Sequence, residues 1–174
     1  MLEAFLFITI LLLAWIIIIY NLLVRDKIRV RAGWSDIDVQ LKRHHDLIPK
    51  LIEAVKQYAA FESATLTTIT ELRTRSEKSN QVGEIGDTET ALGSEIKQIL
   101  ILAEAYPDLK ANQSFLDLQH NLTNVEEHIQ YARRYYNGAV RNLNTRIESF
   151  PDILIANFFK YKAANYFQAD LNGE

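Results

Sequence analysis

Residues Gly33 to Val55 read GWSDIDVQLKRHHDLIPKLIEAV, and the spacing of their apolar side chains decides the fold. Extended in both directions, the stripe runs Val30, Trp34, Ile37, Leu41, His44, Ile48, Leu51, Val55 and Tyr58, with steps of four and three alternating without a break. A strand would alternate every second residue, so this is the seam of a long helix packed against other helices. From Leu47 the stripe widens to take in Ile52 and Ala59, and the pattern predicts that the helix continues through Leu66, Ile69 and Leu72. Pro49 removes one backbone hydrogen bond, but the seam stays in phase across it, which favours a single kinked helix over a helix boundary. Asp38 with Lys42, and Asp46 with Lys50, place acid four residues before base on the outer side.

Upstream, Ala4 to Val24 reads AFLFITILLLAWIIIIYNLLV, with no charged side chain between Glu3 and Arg25. At the rise of an α-helix this run covers the roughly 30 Å of a bilayer's hydrocarbon core, so residues 1–24 are expected to form a transmembrane anchor bearing Phe5, Leu11, Trp15, Ile17 and Tyr20. A cleavable signal peptide would want a basic start, a shorter apolar run and a small-residue cleavage site, none of which is present. Arg25, Lys27, Arg29 and Arg31 flank only the C-terminal end of the run. The positive-inside rule then places the N-terminus outside and residues 25–174 in the cytoplasm, with the same bases at the level of anionic headgroups.

Downstream, residues 76–88 (SEKSNQVGEIGDT) hold two glycines, several acids and little apolar content, and are expected to be a loop. Asp87 or Thr88 would cap the next helix, whose stripe is Leu92, Ile96, Ile99, Leu100, Leu102 and Ala103 and which stops before Pro107. A last long helix, beginning near Ser114, carries Phe115, Leu118, Leu122, Val125, Ile129, Ala132, Tyr136, Val140, Leu143, Ile147 and Phe150, with one slip of phase after Ala132. Pro151 closes it, and an aromatic-rich tail, residues 151–174, is expected to dock on the bundle in preference to lying on the membrane through Ile153, Leu154, Phe158, Phe159, Tyr166 and Phe167.

The expected fold class is therefore all-α: an N-terminal transmembrane helix followed by an elongated antiparallel bundle of three to four helices. Such long stripes in a chain of 174 residues also lead to the expectation of a homo-oligomer, with sister chains covering part of the apolar surface. The absence of cysteine removes disulfides, thiolate nucleophiles and Cys-ligated zinc, and a formal net charge of -3 gives no footprint for nucleic acid.

Two groups of polar residues invite a chemical reading. The His44, His45, Asp46 cluster resembles part of a metal or acid–base site, but neighbouring positions on a helix point about 100° apart, so the two imidazoles are not expected to chelate one ion. The favoured reading makes them register devices in the seam, with His45 or Asp46 bonding a neighbouring helix; a metal sensor or enzyme centred on His45 and Asp46 is the lesser alternative. Farther along, Gln130, Asn137 and Asn144 recur every seventh residue, beside a second heptad line of Glu127, Arg134, Arg141 and Glu148. Together with Tyr136, these lines suit an oligomer or interhelix seam where polar groups set register and partner choice. An anion site built from Arg133, Arg134 and Arg141 would lack a glycine-rich loop. His120 and His128 are expected at the surface, with no cofactor implied anywhere.

The apolar anchor followed by WSDIDVQLKRHHDLIPKLIEAVKQYAAFE, then AEAYPDLKAN, then YARRYYNGAVRNLNTRIESFP, resembles the LemA family of bacterial membrane proteins over nearly the whole chain. The resemblance implies a single-pass protein of the bacterial inner membrane with a cytosolic helical bundle and no established enzymatic activity, working beside other membrane proteins such as a TPM-domain protein or a membrane protease. The ALGSEIKQILIL stretch and residues 81–87 depart from the family's usual pattern. The expectation drawn from all of this is a membrane-anchored, self-associating scaffold without catalysis; the alternative is an oligomer that remodels or organises lipid.

Overall fold

A single helix, α1 (Leu2–Val55), carries the chain from its first apolar residues to the far end of the molecule, a length of roughly 81 Å. The computed structural model describes residues 1–56 and 63–167. Further along lie α2 (Ser63–Lys78), α3 (Val82–Ala103), α4 (Pro107–Lys110), α5 (Gln113–Glu148) and α6 (Asp152–Phe158), and the described residues contain no strand. The all-α expectation holds, including the helix running unbroken through Pro49.

The N-terminal part of α1 is rich in Ile and Leu and is almost entirely uncovered by the rest of the protein, and α1 is the one helix among the described residues long and apolar enough to cross a membrane. Ile-rich runs are mediocre helix formers in water, but hydrocarbon leaves backbone groups no partner outside the helix. From Ile19 onward the seam is buried at Ile19, Leu23, Asp26, Gly33, Ile37, Leu41, His44, Ile48, Leu51 and Val55. The four–three spacing is therefore the line along which α1 meets its neighbours.

The chief neighbour is α5, running antiparallel. Ile19 and Leu23 cluster with Leu143 and Ile147; Ile37 and Leu41 with Val125, Ile129, Tyr136 and Val140; Ile48, Leu51 and Val55 with Phe115, Leu118 and Leu122. Both long seams are thus closed within one chain. The coverage expected from sister chains is not needed for these edges, because α2, α3 and α6 complete it. Close approach of the two long helices occurs at Gly33, where an added Cβ would stand 3.1 Å from the Cα of Tyr136.

Three local expectations are corrected. The long first helix does not continue in a line to Leu72: Glu77 Oε1 lies 3.6 Å from His45 Nδ1, whereas a straight helix would separate these residues by roughly 48 Å. By Ser63 the chain has turned back, and α2 brings Leu66, Ile69 and Leu72 onto Ile48 and Leu51. Tyr58 and Ala59 lie outside the described residues. The loop expected over 76–88 shrinks to residues 79–81, and neither Asp87 nor Thr88 caps a helix. Ile85, Thr88, Glu89 and Leu92 are buried and extend the α3 stripe toward its start, where Ser79 and Arg75 both bond Glu84. That burial outweighs the roughly 1 kcal/mol helix penalty of each glycine. Phe150 leaves the seam altogether, because α5 ends at Glu148 and the ring is 81% exposed.

The start of α5 does carry a cap, the Asn112 side chain accepting from the Phe115 amide at 3.2 Å. Asp38 pairs with Lys42 at 2.6 Å, while Asp46 and Lys50 stand exposed.

Candidate functional site

The two histidines of α1 meet a carboxylate that comes from α3. His45 Nε2 lies 2.6 Å from Glu89 Oε1 and His44 Nδ1 lies 3.4 Å from Glu89 Oε2, so adjacent imidazoles expected to diverge converge on the two oxygens of one acid. Their rings are tilted by 32° with centroids 6.3 Å apart, and the carboxylate sits between them, one oxygen toward each. The Ser76 hydroxyl donates to Glu89 Oε1, and the other ring nitrogen of His45 faces Glu77 at 3.6 Å, which in turn pairs with Arg73 at 3.1 Å. His44, His45, Ser76 and Glu89 are all buried.

Burial by itself would raise the Glu89 carboxyl, but the close approach of His44 and the hydrogen bonds of His45 and Ser76 together outweigh it and hold the group down at about 2. The charged carboxylate is the cement between α1, α2 and α3. Asp46, the acid expected beside the histidines, is exposed and takes no part. Among the described residues no group of three or more His, Asp or Glu side chains is arranged to hold a metal ion. Sequence reasoning passed over Glu89 because it lay at the edge of the expected loop. The signal was there: Ile85, Glu89, Leu92 and Ile96 step by four, three and four, which puts an acid at a core position of α3.

A second polar cluster ties the body to the base of the apolar segment. Asp26, in phase with Leu23 and Val30 on the seam, is 2% exposed and accepts from Arg146 at 2.7 Å. Arg146 also bonds Asp152 at 2.9 Å, and Arg29 reaches Asp26 at 3.4 Å. The guanidinium is raised above its ordinary value, mainly by the hydrogen bond it donates to Asp26. Of the expected headgroup residues, Arg25 and Arg31 are exposed, Arg29 is partly drawn into this bridge, and Lys27 sits 5.5 Å from the centre of the Tyr161 ring. Phe5, Leu11, Ile17 and Tyr20 of the expected anchor are exposed, with Trp15 at the border.

The asparagine line has a partner other than the one expected. Asn144 Nδ2 donates to the Ala164 carbonyl at 3.0 Å and its Oδ1 accepts from the Ala164 amide at 2.8 Å. One heptad earlier, Asn137 Oδ1 accepts from the Phe167 amide at 2.9 Å, and between them the Tyr136 hydroxyl donates to the Asn165 carbonyl at 2.8 Å. A heptad of helix advances about 10.5 Å and three residues of extended chain about 10 Å, so a ladder spaced by seven fits a tail contacted every third residue. Phe167 is buried 6.3 Å from Trp34, whose ring also meets Tyr136 at 5.8 Å. Asn137, Asn144 and Tyr136 thus bind the chain's own tail, not a register partner. Gln130 bonds Glu126 at 3.0 Å, Arg134 lies over Tyr131 at 4.7 Å, and Arg134 and Arg141 face outward. His120 and His128 are at the surface as expected.

Beyond Phe167 a cleft of about 620 Å3 opens between α3 and α5, with His44 and Glu89 at its floor and Lys97, Glu126, Gln130 and Arg133 on its walls. The arrangement is one of locks: three polar clusters, each spent on joining elements of the chain to one another.

Comparison with known proteins agrees with this architecture. The chain is 21% identical to the magnetosome protein MamQ 2 of Paramagnetospirillum magneticum, over 93% of its own length and 69% of the relative's. It is 28% identical to protein LemA of Metamycoplasma hominis over 86% of this chain and 68% of the other, and 20% identical to the magnetosome protein MamQ of Magnetospirillum gryphiswaldense over 89% and 66%. The family model for LemA proteins matches residues 33–174, which takes in the histidine seam, the Glu89 helix and the asparagine ladder, and the chain belongs to the LemA family.

Proposed function

We propose that the protein is a membrane-anchored scaffold without catalysis of its own, holding a rigid helical body at a set distance and orientation from a bilayer for other membrane proteins to dock on. The observation that carries this reading is the continuity of α1: the apolar segment and the central helix of the body are one element, locked at their junction by Asp26 and Arg146. A flexible linker would decouple body and anchor. A continuous helix transmits orientation.

The positive-inside rule supports a body in the cytoplasm, and the family supports the bacterial inner membrane as its site. Self-association belongs to this proposal as well. With the seams closed inside one chain, it falls to outward side chains such as Tyr131 and Tyr135, 63% and 53% exposed and one helical turn apart on α5. A TPM-domain protein or a membrane protease is the class of partner that the family resemblance implies.

Cross-linking in native membranes followed by affinity capture tests the scaffold, and mass measurement in mild detergent tests the self-association. Recovery of one or two membrane proteins in stoichiometric amounts, with a mass above that of the monomer, is expected. A strict monomer at micromolar concentration that captures nothing above background would overturn the reading. The remodelling alternative is separable: vesicles that keep their shape at high protein density exclude it.

A further inference from the structure

The short helix α6 is apolar on both sides. One side, Ile155 and Ala156, is buried against Ile19 and Leu23 of α1 and Leu143 and Ile147 of α5. The other presents Leu154 and Phe158, one turn apart and 55% and 78% exposed, flanked by Phe150 at 81% and Phe159 at 44%. Four large apolar side chains left open around a seven-residue helix would be a liability in water. Their position removes the liability. The Phe159 ring packs on Tyr20 at 4.7 Å, and Tyr20 belongs to the final turn of the apolar run that ends at Val24, before the Arg25 to Arg31 bases.

Val24 marks the end of the hydrocarbon-spanning run, so the level of Tyr20 lies about 6 Å inside it. That is the depth at which amphipathic segments lie in a headgroup–acyl boundary. Past Phe159 the chain turns sharply at Lys160, with φ of 56°, and rises through Tyr161 to the asparagine ladder. Lys160 and Lys162 are exposed on the segment that leaves the aromatic tip for the body, and the Lys27 ammonium sits over the Tyr161 ring of that segment. Aromatics below and bases above match the layering of an anionic leaflet.

We propose that α6 and its flanks form a second membrane contact, a wedge of Phe150, Leu154, Phe158 and Phe159 inserted into the leaflet that borders the body. It rests on the reading of α1 as a membrane anchor, and it adds what one helix alone does not supply, a fixed rotation of the body about the anchor axis.

The natural chain has no cysteine, so single-cysteine variants can be spin-labelled directly. Full-length Leu154→Cys and Phe158→Cys, with Ile10→Cys as an anchor reference and Glu104→Cys as an aqueous one, are placed in phosphatidylcholine–phosphatidylglycerol vesicles. Collision rates with oxygen and with a water-soluble nickel chelate are then compared. All four positions are exposed, and an unchanged melting temperature verifies the fold. The wedge predicts oxygen-to-nickel ratios at Leu154→Cys and Phe158→Cys severalfold above that at Glu104→Cys and near that at Ile10→Cys. Aqueous ratios at both α6 sites with a lipid ratio at Ile10→Cys would overturn the wedge and leave the anchor standing. Shielding from both reagents, with spin–spin broadening that vanishes on dilution with unlabelled protein, would assign the face to a second copy and also overturn it. Aqueous ratios at all positions would remove the anchor and the wedge together.

Discussion

At the scale of single residues, the energetics concentrate on buried charges. Glu89 is held near 2, against an ordinary glutamate value of about 4.3, by two imidazoles and a hydroxyl. A depressed folded-state value means that the carboxylate form stabilises the fold: the contribution is complete above the unfolded value and is lost as pH falls from there toward 2. Thermal melts in detergent should therefore show a stability that drops between about pH 4.5 and pH 2, with a shallower acid limb in Glu89→Gln. At neutral pH the same substitution leaves His44 and His45 facing an uncharged amide, and a loss of about 3 kcal/mol is expected from denaturant titration. An unchanged midpoint would mean that the histidines do not use this acid. Gly33 tests packing in place of charge. With Tyr135 Cδ1 and Tyr136 Cα both 3.1 Å from the Cβ that any other residue would bring, Gly33→Val should cost about 1–3 kcal/mol by forcing α1 and α5 apart.

Among elements, the docking of the tail on α5 is the contact most open to experiment. Asn144 satisfies both the amide and the carbonyl of Ala164, so Asn144→Ala leaves two backbone groups unpaired at an expected cost of about 1–3 kcal/mol. Trp34 reports on the outcome, since Phe167 and Tyr136 both pack on its ring. Release of the tail should shift Trp34 emission to the red, measured with Trp15 replaced by Phe. An emission spectrum identical to that of the parent would show that the ladder is dispensable. The same elements show how far the sequence could be read. The seams of α1 and α5 were legible because each buried position repeats every three or four residues along one helix, a purely local pattern. The start of α3 was not, because two glycines and several acids speak for a loop and only the packing of Ile85 and Leu92 speaks against it. The heptad spacing of Asn137 and Asn144 was plain, but not its partner, since an extended tail and a neighbouring helix can present matching repeats. The Glu89 contact spans 44 residues of chain and could not be inferred from local spacing.

For the whole molecule, the two long helices make a body whose apolar edges are closed in one chain and whose base is tied to the apolar segment by the Asp26–Arg146–Asp152 bridge. Removing Arg146 leaves a carboxylate that is 2% exposed with only the longer Arg29 contact at 3.4 Å, so Arg146→Ala should destabilise by about 3 kcal/mol and loosen α6 as well. Hydrogen exchange read over residues 150–160 checks the second effect, and unaltered exchange there would show that Asp152 is not needed to seat α6.

Pairing of α1 with α5 inside a single chain is what the rest depends on, and dipolar coupling between spin labels on the two helices tests it most directly. A Val39→Cys, Arg134→Cys double variant, both sites exposed, spin-labelled in mild detergent, should show a dipolar coupling between α1 and α5 that survives dilution with excess unlabelled protein. Coupling that vanishes on that dilution, or no coupling at all, would contradict the pairing.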